Sequence, residues 1–124
     1  MTDPNSRGRR NIGEWSAVRA YKRATVLDPF PGTYPPTDTG SDGLDVCRAG
    51  VEFGWLSGYD HAFGLDNALG ALMLGPVMVG TNWHQAMFRP DPDGTLHPTG
   101  PVVGGPEYAL VGIKGQRVRV LNSW

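Results

Sequence analysis

Cysteine is nearly absent: Cys47 is the single thiol in 124 residues. One thiol closes no intramolecular disulfide, so the chain is not a disulfide scaffold and does not point to an oxidising compartment. Long apolar runs are missing too. The longest, 71–79, is broken by Gly75 and Pro76 and is far too short to span a bilayer. The N-terminal stretch is polar and lacks the apolar core of a secretory signal. A soluble protein is expected, cytoplasmic or part of a particle assembled inside a cell. No excess of one charge exists either. The formal net charge is −1, which excludes a strong global field for nucleic acid or membranes.

Metal-binding patterns are also lacking. His61, His84 and His97 show neither HxxxH nor His–Cys spacing, so no metal and no cofactor are expected. Asp91, Asp93 and Gly94 have the start of a calcium loop but lack its terminal Glu and include two prolines, which makes them a turn. Gly104-Gly105 is followed by neither Lys-Ser/Thr nor a helix, which excludes a phosphate loop. The tryptophans and tyrosines have no basic residues interleaved among them and read as core rather than as a stacking platform.

Glycine and proline are plentiful, with 18 and 11 copies, so turns and loops take much of the chain. Residues 1–13 form a weakly basic arm carrying Arg7, Arg9 and Arg10, read as a solvated tail; nucleic acid is not an expected partner apart from this arm. Residues 14–124 are expected to form a single α+β domain. Trp15, Val18, Ala20 and Tyr21 predict a helix over 14–23. A Pro-rich connection follows, ordered by Phe30 and Tyr34. Leu44, Cys47, Val51 and Trp55 predict a second helix over 42–55 with these four residues buried, capped by Asp42 with Asp45. A strand over 58–63, a helix over 67–74 capped by Asp66, a strand over 76–83 bulged at Gly80, and a helical turn over 84–88 come next.

The C-terminal stretch alternates as a hairpin. Val102, Val103 and 108–113 form one β-prone run, Lys114-Gly115 the turn, and 116–121 the return, with Arg117 and Arg119 on one face and Val118 and Val120 on the other. The run ends on Asn122-Ser123-Trp124.

Gly104-Gly105, Ala109-Leu110-Val111-Gly112 and Asn122-Ser123-Trp124, preceded by Gly75-Pro76-Val77, occur in the order found in the second half of the papain-like cysteine peptidases. The chain resembles that family, its bacterial and phage members in particular, over about residues 40–124. The resemblance implies a partial papain-like fold, two to three helices on an antiparallel sheet ending in the hairpin. It gives Asn122 the place that orients the catalytic histidine, and Trp124 that of the aromatic shield. The histidine's own place falls on Pro106, which has no ionisable group to accept a thiol proton. Trp83, His84, Glu107 and Trp124 are then the candidates for lining a substrate cleft. The family's nucleophile-bearing helix has no counterpart in the sequence, and Cys47 falls elsewhere in the pattern.

These residues set three expectations. The first is a degenerate or incomplete papain-like protein that binds a peptide or protein partner, or a complementing chain, without cleaving it. The second is an active cysteine hydrolase with a relocated base, His84 or His97 acting on Cys47, or with a nucleophile from a partner chain. The third is a structural or assembly component of a phage particle.

Overall fold

The computed structural model describes residues 12–122. The basic arm, apart from Ile12 and Gly13, and the cleft candidate Trp124 lie outside them. Over the span expected as one domain, the chain forms two compact units that divide between Tyr59 and Asp60. The described residues contain three helices and two antiparallel sheets, an α+β fold.

The first unit is a helix pair. Helix α1, Glu14–Leu27, runs one turn beyond the predicted 14–23. Ala24 and Thr25 continue it because both are buried, at 0% and 2% exposure, and packing overrides the lower helix propensity of threonine. Pro29 ends the helix by forcing extended backbone on Asp28 (ψ 161°). Helix α2, Gly43–Glu52, starts as predicted, with the Asp42 carboxylate accepting the Asp45 N–H at 2.9 Å. It ends three residues before the predicted 55. Gly54 takes a left-handed φ of +67°, and the Trp55 and Leu56 N–H groups fold back onto the Gly50 carbonyl.

The predicted buried stripe of α2 is corrected. Leu44 and Val51 are exposed and Cys47 is half-buried, whereas Asp45, Ala49 and Gly50 are buried. The contact face of α2 is built of small side chains, which let α1 and α2 approach closely at Ala24 and Ala49. Arg23 adds a two-pronged ion pair to Glu52, at 2.6 and 3.0 Å. Trp15, expected on the apolar stripe of α1, is 83% exposed. In the Pro-rich connection Tyr34 packs on Tyr21 as expected, but Phe30 is exposed.

The second unit holds the sheets. Residues 58–63, predicted as a strand, are irregular, since they find no pairing partner. Helix α3, Leu65–Leu72, begins earlier than 67–74, and its N-cap is Gly64 (φ +82°) rather than Asp66, which falls in the first turn. The predicted strand over 76–83 divides into β1, Val77–Gly80, and β2, Trp83–His84, which join different sheets. A 3-10 turn, Gln85–Phe88, follows as expected.

Strands β3 (Val102–Gly104), β4 (Glu107–Lys114) and β5 (Arg117–Leu121) complete the unit. The sheets have the orders β1-β4-β5 and β2-β3. The hairpin turn is Gly115-Gln116, one residue beyond Lys114-Gly115. Lys114 pairs with Arg117, and Gly115 supplies the positive φ (+61°) required at the first central position. Gly80 pairs regularly with Glu107, and the ladder instead shifts at Val111 in β4. α3 lies against β1 and β4, and Leu72, Trp83, Met87 and Leu110 form the core. Phe63, Leu65, Met73 and Leu74 around α3 stay 73–94% exposed. Among the described residues no helix is long and apolar enough to cross a membrane.

Candidate functional site

The β4–β5 ladder brings together the two positions that the resemblance picks out. Pro106 immediately precedes β4 and Asn122 immediately follows β5. Because Ala109 pairs with Leu121, Asn122 falls level with Tyr108, two residues along from Pro106. The Asn122 side-chain nitrogen is withdrawn from solvent. Pro106 is held from the other side, where the Thr81 N–H donates to its carbonyl at 3.4 Å. Next to it, the Thr81 and Tyr108 hydroxyls lie 2.8 Å apart. The corner therefore has a fixed backbone and hydroxyl groups but no titratable base at position 106. Glu107 is exposed, and it packs its side chain beside Gly80 across the β1–β4 ladder.

Trp83 is not a cleft wall. It is 4% exposed and meets Phe88 and Tyr108 edge-on, with centroids at 6.1 and 5.9 Å. Its register opposite Gly104 turns the indole into the core between the sheets.

The 3-10 turn that follows His84 opens on a cavity of about 570 Å³ lined by Gln85, Ala86, Phe88, Arg89, Thr99 and Gly100. Three bonds to the 99–101 segment build the cavity. Gln85 N–H donates to Pro101 at 3.0 Å, Ala86 N–H to Thr99 at 3.3 Å, and His84 Nδ1 to the Gly100 carbonyl at 2.8 Å. The His84 ring also accepts the Met87 backbone N–H, so the side chain is tied to both the 3-10 turn and the 99–101 segment. Gly100 makes the turn with φ +83°, where a side chain would be strained. Arg89 forms no ion pair among the described residues, and Phe88 leaves half of its ring open. A guanidinium, an amide, a hydroxyl and an aromatic face thus converge on one opening, a set suited to polar backbone or carboxylate groups beside an apolar side chain. Gln85, Phe88, Arg89 and Thr99 are not visible as a site in the sequence, because the 99–101 segment that completes it is ten residues or more away along the chain.

Cys47 belongs to the first unit, whose residues up to Tyr59 include no histidine; all three histidines belong to the second. His61 is exposed and stacks on Phe63 at 4.5 Å. His97 is exposed and bonds through Nε2 to Asp91 at 2.7 Å. The 91–97 segment is the expected turn. Gly94 N–H closes onto the Asp91 carbonyl at 2.8 Å, and Asp93 accepts the Thr95 N–H. That bond, with the Thr95 side chain and the nearby charge of Arg117, holds the Asp93 carboxyl below its ordinary range. Arg117 ties the turn to β5 through the Thr95 hydroxyl at 2.7 Å. Among the described residues no cluster of three or more His, Cys, Asp or Glu is placed to hold a metal ion. No family model, no curated protein and no solved structure matches the chain.

Proposed function

We propose that the chain is a catalytically silent, papain-like binding module that holds an extended peptide segment of a partner without cleaving it. The observation that carries this reading is the corner at Pro106. Position 106, which the resemblance gives to the base, lies two residues before Tyr108, the residue level with Asn122, and Pro106 can neither take nor give a proton. The placement of the thiol supports the same reading. Cys47 is half-buried in the interior of α2, away from the helix N-terminus that would lower the pKa of a thiol. The groups that remain are binding groups: Gln85, Arg89 and Thr99 beside the Phe88 ring.

The test is a panel of fluorescent extended peptides read twice, by anisotropy for binding and by quencher release for cleavage, with and without reductant. Saturable binding weakened about tenfold by Arg89→Ala, with no reductant-dependent cleavage, is expected. Thiol-dependent turnover abolished by Cys47→Ala would replace this reading with a relocated cysteine hydrolase.

A further inference from the structure

The first unit has a cavity of its own, about 330 Å³, walled by Ala17, Val18, Tyr21, Tyr34 and Asp38. Its two rings are not stacked. The centroids of Tyr21 and Tyr34 are 5.2 Å apart and the planes open at 49°, which makes an aromatic wedge. Each wall is fixed from behind. Tyr34 N–H donates to the hydroxyl of Thr25, itself 2% exposed, at 2.9 Å. The Tyr21 hydroxyl donates to Asp38 Oδ1 and accepts the Gly40 N–H at 3.0 Å. The second carboxylate oxygen of Asp38 takes no hydrogen bond from the described residues, so it remains available to a ligand.

The local field is negative. The bond to Asp38, followed by burial, raises the Tyr21 phenol above its ordinary pKa, and the charges of both Asp38 and Asp28 act in the same direction. The nearby cations of α1 are engaged elsewhere. Arg23 pairs with Glu52 and Arg19 lies over the Phe53 ring at 4.2 Å. Lys22 is adjacent to Tyr21 in sequence, and so leaves the helix about 100° away from it.

We propose that this wedge binds a cationic side chain, the guanidinium or ammonium of an arginine or lysine presented by a partner peptide. The head sits against the two tyrosine faces with its charge toward Asp38, and the aliphatic stem lies along Ala17 and Val18. Two aromatic faces and a carboxylate select for positive charge, and the apolar helix face selects for a long stem. The site lies wholly in the first unit and stands independently of the reading given to the Pro106 corner.

The experiment titrates Nα-acetyl-arginine amide into the full chain, with the citrulline amide as neutral isostere, and follows backbone amide NMR shifts. Saturable shifts at Ala17, Val18, Tyr21, Tyr34 and Asp38 are expected with the arginine compound, and binding about tenfold weaker with citrulline. Asp38→Asn keeps an acceptor for Tyr21 while removing the charge, and is expected to lose about tenfold in affinity with the rest of the spectrum unchanged. Tyr34→Leu tests the aromatic wall in the same way. Equal affinity for citrulline, undiminished binding in Asp38→Asn, or no saturable shift at these five positions would overturn the proposal.

Discussion

The Thr81 and Tyr108 hydroxyls meet at 2.8 Å just beyond the end of β1. Together with the Thr81 N–H on the Pro106 carbonyl, this contact clamps both neighbours of Glu107. The corner is therefore held on both sides of Glu107 by groups that are neither thiol nor base. Pro106→His alone is expected to give no reductant-dependent cleavage of a quenched peptide substrate. Measurable thiol-dependent turnover in that variant would show a nucleophile facing the corner.

The clamp has an energetic consequence as well. Tyr108→Phe removes one hydroxyl and leaves the ring in place against Trp83. Hydrogen bonds of this kind contribute about 0.5–1.5 kcal/mol net, so a loss in that range is expected in urea unfolding. Thr81→Val is expected to lose a similar amount, and the double variant less than the sum of the two, because both delete the same contact.

Much of the fold is legible in the sequence, and the errors share a cause. The α+β class, the Asp42 cap, the turn over 84–88 and the C-terminal hairpin are local patterns, and local signals were sufficient for them. The α2 face departs from the periodic reading because apolar periodicity gives weight to Leu44 and Val51, whereas the buried positions are Asp45, Ala49 and Gly50, whose side chains carry little apolar periodic signal. The 76–83 run has the pattern of one strand, and nothing local says that Trp83 leaves β1 for a second sheet. Of the positions that the resemblance singles out, the sequence supplies only the order of Pro106 and Asn122. The cavity beside His84 and the tyrosine wedge are not legible in it, because each joins segments that only the tertiary fold brings together.

Small residues at the α1–α2 contact predict sensitivity to volume. Ala24 and Ala49 are both 0% exposed, on helices that pack against each other. Ala24→Leu and Ala49→Leu are each expected to cost about 1–3 kcal/mol in chemical denaturation by overpacking. Leu44→Ala, on the exposed side of α2, is expected to change stability by less than about 0.5 kcal/mol. The reverse ranking would restore the periodic stripe as the buried face.

Acid should loosen both units through specific carboxylates. Arg23 holds the Glu52 carboxyl below its ordinary value of 4.5, and the Thr95 N–H leads the lowering at Asp93. A folded-state pKa that is depressed means the stabilisation is complete above the unfolded value and is lost as pH falls through the folded one. Stability is therefore expected to be flat at neutral pH and to decline below about pH 4.5. Both groups are exposed, so added salt should shrink the Glu52 contribution. In Glu52→Gln the acid slope should become shallower, and an unchanged slope would place the acid sensitivity elsewhere.

Cys47 provides the sharpest separation between binding and catalysis. It is half-buried on α2, in a unit without histidine. A thiol activated by an imidazole reacts quickly and loses that reactivity when the imidazole is removed, because the thiolate is the reacting species. A thiol whose reactivity is set by packing responds to unfolding instead. Iodoacetamide labelling of the folded protein is therefore expected to run about tenfold or more slower than in urea. The rate should stay within about twofold in a His84→Ala/His97→Ala double variant. Fast labelling of the folded chain that collapses in the double variant would mean that an imidazole reaches Cys47, and the silent-module reading would give way to an enzyme.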